Sequence, residues 1–221
     1  MFIPFSFFAT TTPTVTPPPA GTYSYSTTNL SWPSSTTGYT VYGGSWTSFD
    51  DGYSSSPITL PVAFSTNAQS STNLYMGTNG YFTVLTGYSG IISGPTISNP
   101  AIMAGNPSDN WLQPGLVNTD GDTQNWWYQT GSDGTGKYYV KHIVYGGTYG
   151  ASTTETSWLA NFYRDGTYQW FETRIKTNSR GQVGPYNASN VAQTAAITSR
   201  VWRGDLNGQN WTYLGTGSVI P

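Results

Sequence analysis

The sequence predicts an all-β protein, an antiparallel two-sheet β-sandwich of jelly-roll or immunoglobulin-like topology with an extended N-terminal arm. Three observations predict it. Ile58, Leu60, Val62 and Phe64 put apolar residues at alternate positions, the period of a strand with one face in a core. Arg164-Asp165-Gly166 separates two alternating aromatic runs, 156–163 and 167–172, which is the clearest hairpin signal in the chain. No segment carries the 3.6-residue period of a long amphipathic helix.

Taken in order, the chain opens on Phe2, Ile3, Phe5, Phe7 and Phe8, followed by the Thr/Pro-rich stretch 9–20. Prolines make such a linker extended and fairly stiff. An apolar tip on a stiff spacer reads as an arm, residues 1–20, that docks on a partner; the alternative is an N-terminal core strand of the same domain. The opening fits a secretory leader poorly, because it lacks a basic flank and Pro4 breaks its apolar run. Residues 21–221 form the sandwich domain. Tyr23/Tyr25 and Tyr39/Val41 mark short strands between Gly and Ser clusters. Pro57 and Pro61 imply a strand start or a sheet edge, since proline cannot donate to a central ladder. The run 74–84 is a strand interrupted by Asn79-Gly80, which suits a tight turn or bulge. The stretch 91–105 reads as a loop leading into a buried strand. Strands follow at 126–130 and 137–145, separated by the turn 131–134, and 194–203 and 210–214 close the sheets.

Composition narrows the function. Only 8% of the 221 residues are charged and the net charge is −2, which gives no electrostatic basis for nucleic-acid binding. No run approaches the ~18 apolar residues of a membrane-spanning helix. With no cysteine, neither disulfides nor thiol chemistry contribute. Nine Trp and seventeen Tyr supply flat rings and hydroxyls suited to sugars or to another protein.

Residues that could carry chemistry have structural readings beside them. His142 is the sole histidine and sits mid-strand with no nucleophile elbow nearby, so a structural role is expected. Glu155 and Glu172 are the only glutamates, flank the Asp165-Gly166 hairpin out of register, and read as solvated strand ends rather than a hydrolase pair. Asn118, Asp120 and Asp122 alternate oxygen ligands as a calcium site would, but the glycine is misplaced for an EF-hand and a polar turn is the simpler reading. No metal or other cofactor is expected. Arg203-Gly204-Asp205 spells an integrin-binding tripeptide in what reads as an exposed turn, yet Gly-Asp is ordinary turn chemistry. Trp111, Trp126, Trp127, Trp202 and Trp211 are the candidates for a glycan platform or an interface anchor. Adjacent Trp126 and Trp127 must face opposite sides of a strand, so at most one of them lies in the core.

The segments FDDGYSSSPITLP, LYMGTNGYFTV, PAIMAGNPSDNW, WWYQTG, YYVKHIVYGG and SWLANFYRDGTYQWFE carry a resemblance that covers roughly residues 49–176. Their order resembles the nidogen-like extracellular β-sandwich, a pattern also found in bacterial surface and phage proteins. The resemblance implies a two-sheet sandwich used for structure and adhesion, without catalytic residues. The absence of cysteine and the polar stretch 65–73 depart from it and favour a microbial or viral setting.

Together these readings lead to an expectation. The chain is a non-enzymatic structural protein at a virion surface, a tailed-phage capsid decoration or fibre component. Its arm would dock on other virion proteins, capsid or tail subunits, in a homo-oligomer. A carbohydrate-binding adhesin module, contacting host-surface glycan from a viral or cell surface, is the alternative. A glycoside hydrolase or lyase is the third.

Overall fold

The computed structural model describes residues 21–49, 51–84, 101–103, 110–148, 151–155, 157–176, 181–185, 191–193 and 199–220, so the arm lies outside the described residues. In chain order the strands begin with β1 Ser24–Ser26, β2 Thr40–Val41, β3 Ile58–Thr66, β4 Gln69–Gly77, β5 Tyr81–Thr83 and β6 Ala101–Met103. Next come β7 Asn110–Trp111, β8 Asn125–Ser132, β9 Tyr138–Tyr145, β10 Gly147–Thr148, β11 Ala151–Glu155 and β12 Trp158–Arg164. The last are β13 Gln169–Ile175, β14 Gly181–Pro185, β15 Val191–Gln193, β16 Arg200–Gly204, β17 Trp211–Thr216 and β18 Ser218–Ile220.

Two antiparallel sheets make the sandwich. One has seven strands in the order β17-β16-β13-β12-β9-β8-β2, and the other six in the order β15-β14-β6-β5-β4-β3. Side chains alternate across each strand, so Trp126, Val140, Val144, Trp158, Phe162, Phe171 and Trp202 of the larger sheet all face inward. They meet Ile58, Leu60, Phe64, Leu74, Met76 and Phe82 of the smaller sheet in a single core. The all-β prediction holds, with the described sheets packed face to face.

The 58–84 segment folds as predicted at three points and differs at one. Pro57 directly precedes β3, which is an edge strand, and Pro61 sits where the β3–β4 register slips between Thr59 and Phe64. Proline's missing N–H is harmless at a start, an edge or a bulge. Asn79-Gly80 lies in the β4–β5 turn, with Gly80 at φ +79° and its N–H donating to the Gly77 carbonyl at 3.0 Å. The difference is the polar stretch 65–73. It is the tip of the β3–β4 hairpin, turning at Asn67-Ala68 with φ of 45° and 63°. That is the left-handed turn two-residue hairpins require, and alanine hides it because it is not a turn residue. Exposed Ala68 is therefore strained. Ala68→Gly is expected to raise stability by about 0.5–1 kcal/mol, read as a melting temperature higher by roughly 2 °C; an unchanged or lower value would contradict the turn assignment.

The outer face of the seven-stranded sheet is also covered, which the sequence reading did not anticipate. β1 and β18 pair as a two-stranded ribbon in which Tyr25 opposes Val219. Tyr23 and Val219 pack there on Tyr163, Trp170 and Val201, with Tyr25 and Leu214 at the margin. Elsewhere on this face Leu30, Trp32, Tyr39 and Trp127 pack against Ile143, Tyr145 and Leu159. Ring faces bury apolar area while hydroxyls reach polar partners, so tyrosine suits such a thin cover; the Tyr23 hydroxyl donates to the Tyr138 carbonyl at 3.1 Å.

Candidate functional site

The ionisable side chains with the richest surroundings are internal fasteners. Asp165, the hairpin residue, is buried. Its Oδ1 accepts from the backbone of Thr167 and Tyr168, both at 2.6 Å, which fixes the turn. Its Oδ2 accepts from the Tyr23 N–H at 3.0 Å and from Trp170 Nε1 at 3.3 Å, which fixes the start of β1. Glu172 does the same for the other strand of the ribbon. Its Oε2 accepts from the Val219 N–H at 2.7 Å, and its Oε1 accepts from Asn161 Nδ2 at 2.8 Å and the Tyr163 hydroxyl at 2.6 Å. Burial pushes the Glu172 pKa above the usual carboxylate value, against the lowering effect of those hydrogen bonds and of Lys141. The expectation of a solvated strand end is thus corrected for Glu172, because the ribbon covers its face of the sheet. Glu172 pairs across the hairpin with Asn161; Glu155 belongs to β11, in another sheet.

His142 is fully buried on the inner face, its ring 4.4 Å from that of Phe82 in the opposite sheet. Its Nδ1 accepts from Trp126 Nε1 at 2.8 Å, which makes it the neutral Nε2–H tautomer, and burial lowers its pKa to about 3. A base in that position reaches no solvent-borne substrate. Gln169, which the sequence reading passed over, spans the sandwich: its Oε1 accepts from Ser65 N at 2.7 Å while its Nε2 donates to the Asp205 carbonyl at 2.7 Å.

The 118–122 loop is the polar turn. Asn118 Oδ1 accepts from the backbone of Asp120 (3.1 Å) and Asp122 (2.9 Å), so its oxygen is already engaged. The Lys176 ammonium lies 2.9 Å from a carboxylate oxygen of each aspartate, occupying the position a cation would take. Among the described residues no cluster of three or more metal-ligating side chains forms.

Three of the candidate platform tryptophans are corrected. Trp126 and Trp202 are fully buried in the core, and Trp211 is 8% exposed with Nε1 donating to the Gly208 carbonyl at 3.1 Å. Each faces the opposite sheet, so none offers a face to a ligand. Trp127 points the other way, as its adjacency to Trp126 requires, and is half-buried against the Ile143, Tyr145 and Leu159 cluster. Trp111 contributes backbone to β7, and its side chain lies outside what is described, as do Phe2, Ile3, Phe5, Phe7 and Phe8. The Arg-Gly-Asp tripeptide is not a presented loop. Arg203 and Gly204 end β16, opposite Trp170 and Gln169, and Asp205 closes the next turn by accepting from Gln209 N (3.0 Å) and Asn210 Nδ2 (2.6 Å).

The surface feature with binding character is a groove beside the ribbon. Thr22, Tyr23, Ser24, Tyr25, Asp165, Tyr168, Trp170, Arg203 and Leu214 enclose about 370 Å³, within the usual range of ligand pockets. The Arg203 guanidinium lies 4.4 Å from the Tyr168 ring centroid and 5.8 Å from that of Trp170. Tyr168 is 36% exposed, and Thr22 and Ser24 present hydroxyls at the rim. Asp165, Tyr23 and Tyr25 read in the sequence only as turn and strand residues and Arg203 only as part of a tripeptide; strands from both ends of the chain bring them together as a groove. Comparison with family models, with curated proteins and with solved structures returns no match, so the nidogen-like resemblance rests on the quoted segments alone.

Proposed function

We propose that the chain is a non-enzymatic structural protein of a particle surface, a virion decoration or fibre component attached through residues 1–20. The observation that supports this reading is the fastening at the arm's base. Gly21 N donates to the Thr135 carbonyl, and Tyr23 is held through its N–H by Asp165 and through its hydroxyl by the Tyr138 carbonyl. A tether leaving such a base passes load into the central sheet instead of peeling off a frayed terminus. Low charge and the apolar tip of the arm fit attachment to a protein partner. The test compares the full chain with one beginning at Gly21, added to the source particle and imaged by electron microscopy with mass spectrometry. Full-length protein is expected on the particle and the shortened one free in solution; equal occupancy would remove the arm from the proposal.

A second reading, a carbohydrate-binding module, is favoured by the groove at Tyr168 and Arg203. An aromatic-lined surface with rim hydroxyls is suited to a sugar face and its hydroxyl groups. The two readings are compatible, since a decoration protein held by its arm presents the sandwich outward.

A further inference from the structure

We infer that the groove beside the terminal ribbon takes a carboxylate-bearing sugar, with Arg203 as the carboxylate-binding residue; this rests on the carbohydrate reading above. Arg203 is half-buried, and among the described residues it forms no ion pair, although it carries five donors in a planar fork. Its carbon-centred charge is stacked on Tyr168 at 4.4 Å, so the fork is oriented without its hydrogen-bonding edge being consumed. The one carboxylate in the lining, Asp165, is engaged with four donors of its own and does not neutralise Arg203. A guanidinium held this way matches a carboxylate in two parallel bonds. The rest of the lining specifies what carries that carboxylate. Tyr25 and Leu214 offer apolar area, while exposed Thr22 and Ser24 offer hydroxyl partners, the mixed surface that a pyranose ring with its hydroxyls requires. A volume of about 370 Å³ holds a small saccharide. A single cation in a protein of net charge −2 argues against polyphosphate or nucleic acid as the ligand.

The test is isothermal titration of the full-length chain with 3′-sialyllactose, glucuronic acid disaccharides and neutral lactose. Acidic sugars are expected to bind about tenfold or more tightly than lactose, with the difference lost in Arg203→Gln and largely lost in Arg203→Lys, which keeps the charge but not the fork. Tyr168→Ala, at an exposed position, should weaken the acidic sugars by a similar factor and guards against misfolding of the Arg203 variants. Equal binding of lactose and acidic sugars would overturn the role of Arg203 and leave the carbohydrate reading standing. No binding of any sugar by the folded wild-type protein would overturn both.

Discussion

Acidification from pH 7 to pH 3 is expected to cost the fold about 4 kcal/mol through His142 alone. Burial lowers its pKa to about 3 from the ordinary imidazole value of 6.5. Between those values the unfolded chain holds a proton that the folded chain excludes, so stability is intact above pH 6.5, falls as pH drops through that window, and stops falling near pH 3. At about 1.4 kcal/mol per pH unit the loss approaches the lower end of domain stabilities, about 5–15 kcal/mol. Glu172 acts in the opposite sense. Its folded pKa is raised, so its contribution is present at low pH and is lost as pH rises through the folded value. Urea unfolding of wild type and His142→Gln at pH 7, 5 and 3.5 checks this. Glutamine keeps an acceptor for Trp126 Nε1 and does not titrate. The variant is expected to be weaker at pH 7 through lost ring packing against Phe82, but nearly flat toward pH 4 where the wild type falls steeply. Parallel curves for the two proteins would rule out His142 as the acid-sensitive group.

Asp165→Ala is expected to cost about 3–5 kcal/mol, large for a turn residue. Ordinary turn aspartates hold backbone donors that water can replace. Here the Thr167 and Tyr168 amides are turn donors of that kind, but Tyr23 N and Trp170 Nε1 belong to the buried face beneath the ribbon. Leaving both unpaired costs roughly 1–3 kcal/mol each. Asp165→Asn separates the two duties. Its carbonyl oxygen can keep the turn, but its amide nitrogen then meets two donors, so about half of the alanine loss remains. The denaturation midpoint reads both variants, and an alanine variant within 1 kcal/mol of wild type would mean that the carboxylate fastens only its own turn.

These two residues also indicate how much the sequence conveyed. The Asp165-Gly166 hairpin was legible because Asp-Gly between alternating runs is local chemistry, and Pro57, Pro61 and Asn79-Gly80 were legible for the same reason. Asn67-Ala68 was not, since the conformation is imposed by the strands and by the Gly208 and Asn207 carbonyls, which accept from Asn67 N (2.7 Å) and Ala68 N (2.9 Å). The second layer over the seven-stranded sheet left a signal that was available. Trp170 and Phe171 are adjacent, as are Phe162 and Tyr163, so both faces of β12 and β13 carry large rings, the mark of a sheet buried on both sides. A sheet buried on both sides leaves Glu172 no solvent-facing side, and it is fully buried. The groove was beyond reach, because it joins Thr22–Tyr25 to Arg203 and Leu214 across the length of the chain. Arg203 carries a sequence signal only as part of a tripeptide, whose third member, Asp205, closes a different loop.

The buried carboxylates of Asp165 and Glu172 clamp the β1–β18 ribbon, and under the proposal above that clamp fixes the base of the arm. Amide hydrogen exchange, resolved by residue in the full-length protein, tests it most directly at Tyr23 and Val219. Both N–H groups donate to a buried carboxylate, so both are expected to exchange with the slow core, and to lose that protection selectively in Asp165→Asn for Tyr23 and in Glu172→Gln for Val219. Exchange of the wild-type Tyr23 and Val219 amides at the rate of an unstructured chain would contradict the clamp, and with it the proposal of an arm fastened at Gly21.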